Sequence, residues 1–302
     1  MRLQTSDLLP FFLAWMLLPL AQAQAELLPA APDSGKLLAT GGVKQVEGAG
    51  GGGIVPWALI TSYGTEDSYG VNAHLTVLPT QDYRLKAYGV AAGICDKLEL
   101  SLASQEFSGS KAPLNQLSLR QDIAGIKLRI SGDLIADQDN WKPQLAIGAM
   151  YKRSQPVQGL EGLGITSVRQ LGAKDDHGID YYVAASKLFL AQSLLLNGTL
   201  RATKANQMGL LGFGGDLNNH YQLMPELSAA YLLNRKLAVG VEYRRKPQNL
   251  SVDHEKAYYD AFLAWFPNKN LSVTLAYARL GDITVFNPVN QRGWYLSVQM
   301  GN

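Results

Sequence analysis

Beyond residue 26, apolar and polar side chains alternate with a period of two in segments of about ten residues bounded by turn formers, the mark of strands with one apolar face. In "KLAVGVEYRR", Leu237, Val239, Val241 and Tyr243 point one way, and Ala238, Gly240, Glu242 and Arg244 the other. "LSVTLAYARL" and "QLAIGAMYK" divide in the same manner. The pattern predicts strands beginning near Gly70, Tyr83, Lys97, Ile123, Lys142, Asp180, Ser193, Gln222, Lys236, Ala257, Leu271 and Arg292. Helical periodicity is nearly absent.

The connections fall into two kinds. Short turns such as "LNR" at 233–235 and "PNKN" at 267–270 contrast with long polar stretches at 154–178, 205–220 and 246–256. Short turns on one rim and long loops on the other are the habit of a transmembrane barrel. A soluble lipocalin-like barrel or a sandwich would also alternate, with its polar face outward. Here the non-apolar faces mix Gly, Ala, Ser and Thr with charges, as a polar lumen would. The apolar faces carry Tyr151, Tyr231, Tyr243, Trp265, Tyr277 and Trp294 near strand ends, where interfacial aromatic girdles lie. The last segment, "QRGWYLSVQMGN", alternates cleanly and suits barrel closure.

The first residues change the picture of location. Arg2 precedes an apolar stretch over 8–20, and "AQAQA" follows with small residues at cleavage spacing, so residues 1–25 read as a secretory signal peptide. No later stretch has the length of a membrane-spanning helix. Residues 26–66 form a Gly-rich lead-in, and 67–302 the barrel. Within the lead-in, Gly48, Gly50 and Gly53 match a dinucleotide-binding spacing, but Pro56 interrupts any following helix and a secreted chain meets no such cofactor. Gly48, Gly50, Gly51, Gly52 and Gly53 are expected to let the lead-in bend against the barrel wall or through its lumen, as the hinge of a plug.

Charge and composition exclude some partners. Lys and Arg total 27 against 25 Asp and Glu, a net of +2, so no basic field argues for nucleic acid. Cys95 is the only cysteine, and no internal disulfide can form. Alternation places Arg84, Lys86, Lys127, Arg129, Lys152, Arg201 and Arg244 on the polar faces with Glu99, Glu226, Glu242 and Asp260, a surplus of bases that would favour anions in the lumen. The alternative is that several of these charges pair across strands or stand at the rims. The chain lacks G-x-S-x-G and H-E-x-x-H motifs, and His74, His177, His220 and His254 are scattered. "KDDHGID" gathers Asp175, Asp176, His177 and Asp180 without a recognised ligand spacing, so no metal, cofactor or catalytic residue is assigned.

The segments "KLLATGGVKQVEGAGGGGIVPWALI", "DYYVAASKLFLAQSLLLNGTLRATKANQMGLLGFGGD", "LAVGVEYRRKPQNL", "AWFPNKNLSVTLAY" and "QRGWYLSVQM" resemble the Gram-negative family known as domain of unknown function 3034. The resemblance covers nearly the whole mature chain. It implies a secreted, outer-membrane protein and carries over no site residues.

The expectation is therefore an all-β chain: one transmembrane, antiparallel meander barrel of about twelve strands in the outer membrane, following a cleaved signal peptide and a Gly-rich lead-in. Its partners are outer-membrane lipid and a small solute or ion passing through a narrow lumen, with no cofactor. A barrel filled by its own side chains and conducting nothing is the alternative, and a lipid-acting enzyme a third reading. The solute and the oligomeric state are not legible in the chain.

Overall fold

The computed structural model describes residues 43–61, 69–135 and 140–301. The signal-peptide segment and the rest of the lead-in lie outside them. Twelve strands close into a barrel: β3 (Tyr69–Pro79), β4 (Tyr83–Ile94), β5 (Leu98–Gly109), β6 (Ser118–Ser131), β7 (Gln144–Ser154), β8 (His177–Phe189), β9 (Leu194–Thr203), β10 (Gln222–Asn234), β11 (Leu237–Arg244), β12 (Tyr258–Asn268), β13 (Leu271–Gly281) and β14 (Gln291–Gly301). Each pairs antiparallel with the next, and β14 closes on β3 in the register Leu296↔Val77. The meander follows the predicted alternation, because a closed sheet with two different faces requires that period on every strand, and the strands begin close to the predicted starts except β6, which begins at Ser118 instead of near Ile123.

The outer face is apolar. Leu75, Val90, Leu102, Val183, Leu227 and Val241 are all exposed in mid-strand. Aromatic residues cluster toward both ends of this belt: Tyr231 and Trp265 at one, and Tyr243 against Tyr259 and Tyr277 against Trp294, each with ring centroids 5.2 Å apart, at the other. The rim carrying the first residues of β3 and the last of β14 also holds the tight β4–β5, β8–β9, β10–β11 and β12–β13 connections. The opposite rim carries the long connections 155–176, 204–221 and 245–257.

The lumen is filled twice over. From the tight-turn end, residues 43–61 enter as a short hairpin of β1 (Val43–Lys44) against β2 (Gly50–Gly51), followed by a wholly buried stretch to Thr61. From the long-loop end, residues 205–214 fold inward and are buried throughout, turning tightly at Met208 and Gly209, both with positive φ. Such turns bring backbone carbonyls to face the barrel wall.

Two inward glycines of the wall leave room for neighbouring rings. A Cβ on Gly148 would lie 2.2 Å from Tyr182 Cζ, and one on Gly240 2.3 Å from Phe262 Cζ. Each aromatic thus lies over a glycine of the adjacent strand. Gly148→Val is expected to destabilise the refolded barrel by about 1–3 kcal/mol through overpacking, read as a lower urea midpoint with an unchanged slope.

Candidate functional site

The interior charges of five consecutive strands alternate in sign: Lys152 on β7, Asp180 on β8, Arg201 on β9, Glu226 on β10 and Arg244 on β11, all buried. Glu47, carried in on the lumen segment, completes the cluster. It accepts from Arg244 at 2.6 Å, forms an ion pair with Lys152, and lies 3.5 Å from Arg201. Arg201 in turn holds Glu226 at 2.5 Å, and Lys152 holds Asp180 at 2.7 Å. Burial alone would push the Glu47 carboxyl up, but Arg244, Lys152 and Arg201 together hold it well below the usual carboxylate range.

A second clamp grips the glycine run. Glu99 on β5 and Lys127 on β6 are paired at 3.2 Å. Glu99 accepts from the Gly50 amide at 2.9 Å and the Thr61 amide at 2.8 Å, while Lys127 donates to the Gly50 and Leu59 carbonyls at 2.8 Å each. On the far wall Glu242 accepts from the Ile54 amide at 2.8 Å and from Ser228, which accepts in turn from the Trp57 indole. Gln105 donates to the Val46 carbonyl, Thr199 to that of Pro56, and Gln144 to that of Ala58, whose amide is accepted by Ser186. The irregular segment thus meets the demand that buried backbone polar groups find partners, and finds them on the barrel wall.

The loop-end segment is bound to the same charges. Lys152 donates to the Met208 carbonyl at 3.0 Å, and Ser154 to the Gly209 carbonyl at 2.7 Å. Beside it, Gln207 accepts from Lys246 and Tyr258 at 2.6 Å each and donates to Asp253. Burial and the neighbouring Glu255 carboxyl push Asp253 up, so it favours its protonated form more than an exposed aspartate would. Above this layer lies a cavity of about 720 Å³.

Several sequence expectations change. Arg84 and Lys86 stand on the outer face of β4, because Tyr83, Leu85 and Ala87 turn inward there. Near the loop end the interior is apolar, which reverses the rule that put bases inside. Arg129 faces the tight-turn rim, paired with Asp96 at 2.7 Å and Asp133 at 3.1 Å. Glu99, Lys127, Lys152, Arg201, Glu226, Glu242, Arg244 and Asp260 are buried in the interior.

With Arg84 and Lys86 outside, and with Glu47 and Asp180 among the buried acids, the expected surplus of bases does not stand out in the interior. Glu242 and Asp260 face each other across β11 and β12. The glycine run is a contact surface against the wall, and within it only Gly48 has a positive φ. A Cβ on Gly52 would fall 1.9 Å from Glu242 Oε1, and one on Gly53 1.9 Å from the Tyr295 hydroxyl. The "KDDHGID" residues are separated, with Asp180 turned inward and Asp175 and Asp176 near Arg169 on the loop side.

Glu47 and Asp180 were the signals missed. Alternation puts Asp180 on one face with Tyr182, Ala184 and Ser186, but it reads in sequence as part of the loop cluster. Glu47 lies in a segment without period, where no face can be assigned. Glu47→Gln is expected to cost about 3–5 kcal/mol of unfolding free energy, because it leaves buried bases short of a partner. Since the folded pKa of Glu47 lies below its ordinary value of 4.5, its contribution is present above that pH and is lost as the pH falls through the lower folded value. The part of the acid destabilisation due to Glu47 should disappear in the variant, measured by urea titration of the refolded protein across pH.

The barrel superposes loosely on solved outer-membrane barrels. The NanC porin matches with a TM-score of 0.48 and 9% identity, covering 76% of this chain and 98% of that one. The KdgM porin matches at 0.44 and 9%, with the same coverage. The COG4313 outer membrane channel from Pseudomonas putida F1 matches at 0.43 and 12%, covering 82% and 96%. Superpositions this loose relate architectures and carry no site across. No curated protein matches the chain in sequence. The family model described as "Protein of unknown function (DUF3034)" matches residues 40–299, and the chain belongs to that family.

Proposed function

We propose that this protein is an outer-membrane channel for a small solute, kept shut by residues 43–61 and opened when that segment leaves the lumen. The observation that carries this reading is the nature of the contact: the segment is held by side chains of many strands yet pairs through its backbone with no strand of the wall. It can leave without breaking one ladder bond of the barrel. The belt of exposed apolar side chains between two aromatic girdles supports a membrane setting, with the long loops outside the cell and the rim of the tight turns on the inner side.

While the lumen is filled, its charges select nothing, because the buried acids and bases satisfy one another. Departure of Glu47 would leave Lys152, Arg201 and Arg244 facing Asp180 and Glu226, a local surplus of bases that Glu99, Glu242 and Asp260 against Lys127 elsewhere on the wall offset. The many hydrogen bonds that hold the segment to the wall favour a second reading, a filled barrel that conducts nothing.

Planar-bilayer recording separates the two. The full chain is expected to be closed most of the time, and a variant lacking residues 43–61 to conduct steadily. A deletion variant that shows the heat-modifiable gel mobility of a folded barrel but passes no current would establish the filled-barrel reading. The membrane setting has its own check: Val241→Arg, in the middle of the outer belt, should cost about 2–4 kcal/mol on folding into lipid vesicles. No loss there would argue against a bilayer around this face.

A further inference from the structure

The cavity of about 720 Å³ at the long-loop end is lined mainly by hydrocarbon, unlike the charged layer beneath it. Leu85, Phe107 and Leu119 form its wall, Leu210 and Leu211 of the infolded loop its floor, and Ile283 part of its roof. A mouth meant only to hold water would be lined like the lumen below, with hydroxyls, amides and charges. Here β4 turns its bases outward so that Tyr83 and Leu85 can face in.

The polar groups at the cavity's edge are occupied with one another. Asn287 donates to Asp82 at 3.2 Å and to the Tyr83 hydroxyl at 3.3 Å, Lys111 lies 3.5 Å from Asp82, and Gln207 is bound on both amide atoms. What remains for a guest is hydrocarbon surface. The volume lies within the roughly 300–1,000 Å³ typical of small-molecule sites. At the rim, Leu163 and Phe286 are 75% and 80% exposed, two large apolar side chains held in water on loops that border the opening. Their exposure has a reason if apolar guests enter past them.

We propose that this cavity binds an uncharged, mainly hydrocarbon molecule and is the first station of the passage. The onward step rests on the channel reading above; the binding itself does not. Transfer of such a molecule from water into the cavity is driven by removal of its apolar surface from solvent, and the ion cluster below stops it while Glu47 is in place.

The test uses the full chain in phospholipid nanodiscs, with 1-N-phenylnaphthylamine as an uncharged apolar probe and 1-anilinonaphthalene-8-sulfonate as its charged counterpart. The neutral probe should bind saturably, one per barrel, above the signal of empty nanodiscs, and dodecane should displace it. Leu119→Trp, which fills the wall side of the cavity, should weaken binding about tenfold or more, and the sulfonate should bind the native protein at least about tenfold less tightly than the neutral probe. If Leu119→Trp fails to fold, Leu163→Ser at the exposed rim serves instead and should slow probe entry.

Binding no greater than that of empty nanodiscs, binding unchanged in a folded Leu119→Trp, or equal affinity for the sulfonate would each overturn the proposal. Bilayer current from the variant lacking residues 43–61 is scored separately. Probe binding without current refutes the channel and keeps the site; current without probe binding does the reverse.

Discussion

A carboxylate carried into the centre of the barrel by an irregular segment meets three bases that would otherwise face one another. Lys152, Arg201 and Arg244 are spaced on alternate strands, with Asp180 and Glu226 between them, and none reaches water. Desolvating so many charges is unfavourable unless each finds a partner at close range. Glu47 supplies the sixth member and contacts all three bases. The same cluster holds the loop-end segment through Lys152 and the Met208 carbonyl. One electrostatic arrangement thus ties together the wall, the entering chain and the infolded loop.

The glycines follow from that constraint. The segment must thread between Glu99 and Lys127 on one side and Glu242 and Tyr295 on the other, close enough for its backbone to bond to Glu99, Lys127 and Glu242. At Gly52 and Gly53 a Cβ would collide with these wall side chains, so a residue without one is required there. A backbone anchored by side chains of a finished barrel differs from a backbone built into the sheet. In the proposed channel, it is the part that can be bound or released while the strand ladder stays intact.

The interior is divided along its axis into a charged, hydrogen-bonded middle and an apolar upper end. The division explains why a single inside-outside rule works on most strands and fails on β4. Lys127 and Lys152 face in because acids await them, whereas Arg84 and Lys86 face out because the interior at their level is lined by leucine and aromatic rings. The balance of buried acids and bases also argues against charge alone as the basis of selection while the lumen is filled.

By itself the sequence determined about twelve strands, the antiparallel meander and the two unlike faces, since alternation along a strand is a local property that each segment declares independently. It also marked Glu99, Lys127, Arg201 and Arg244 as inward, because they alternate with apolar neighbours on well-formed strands. Only the tertiary structure decided which charges meet, that Glu47 stands among them, that Asp180 belongs to the interior, and that Arg84 and Lys86 do not. Those outcomes depend on depth within the barrel and on contacts between residues far apart in sequence, such as Glu47 and Arg244, and a period of two carries no information about either.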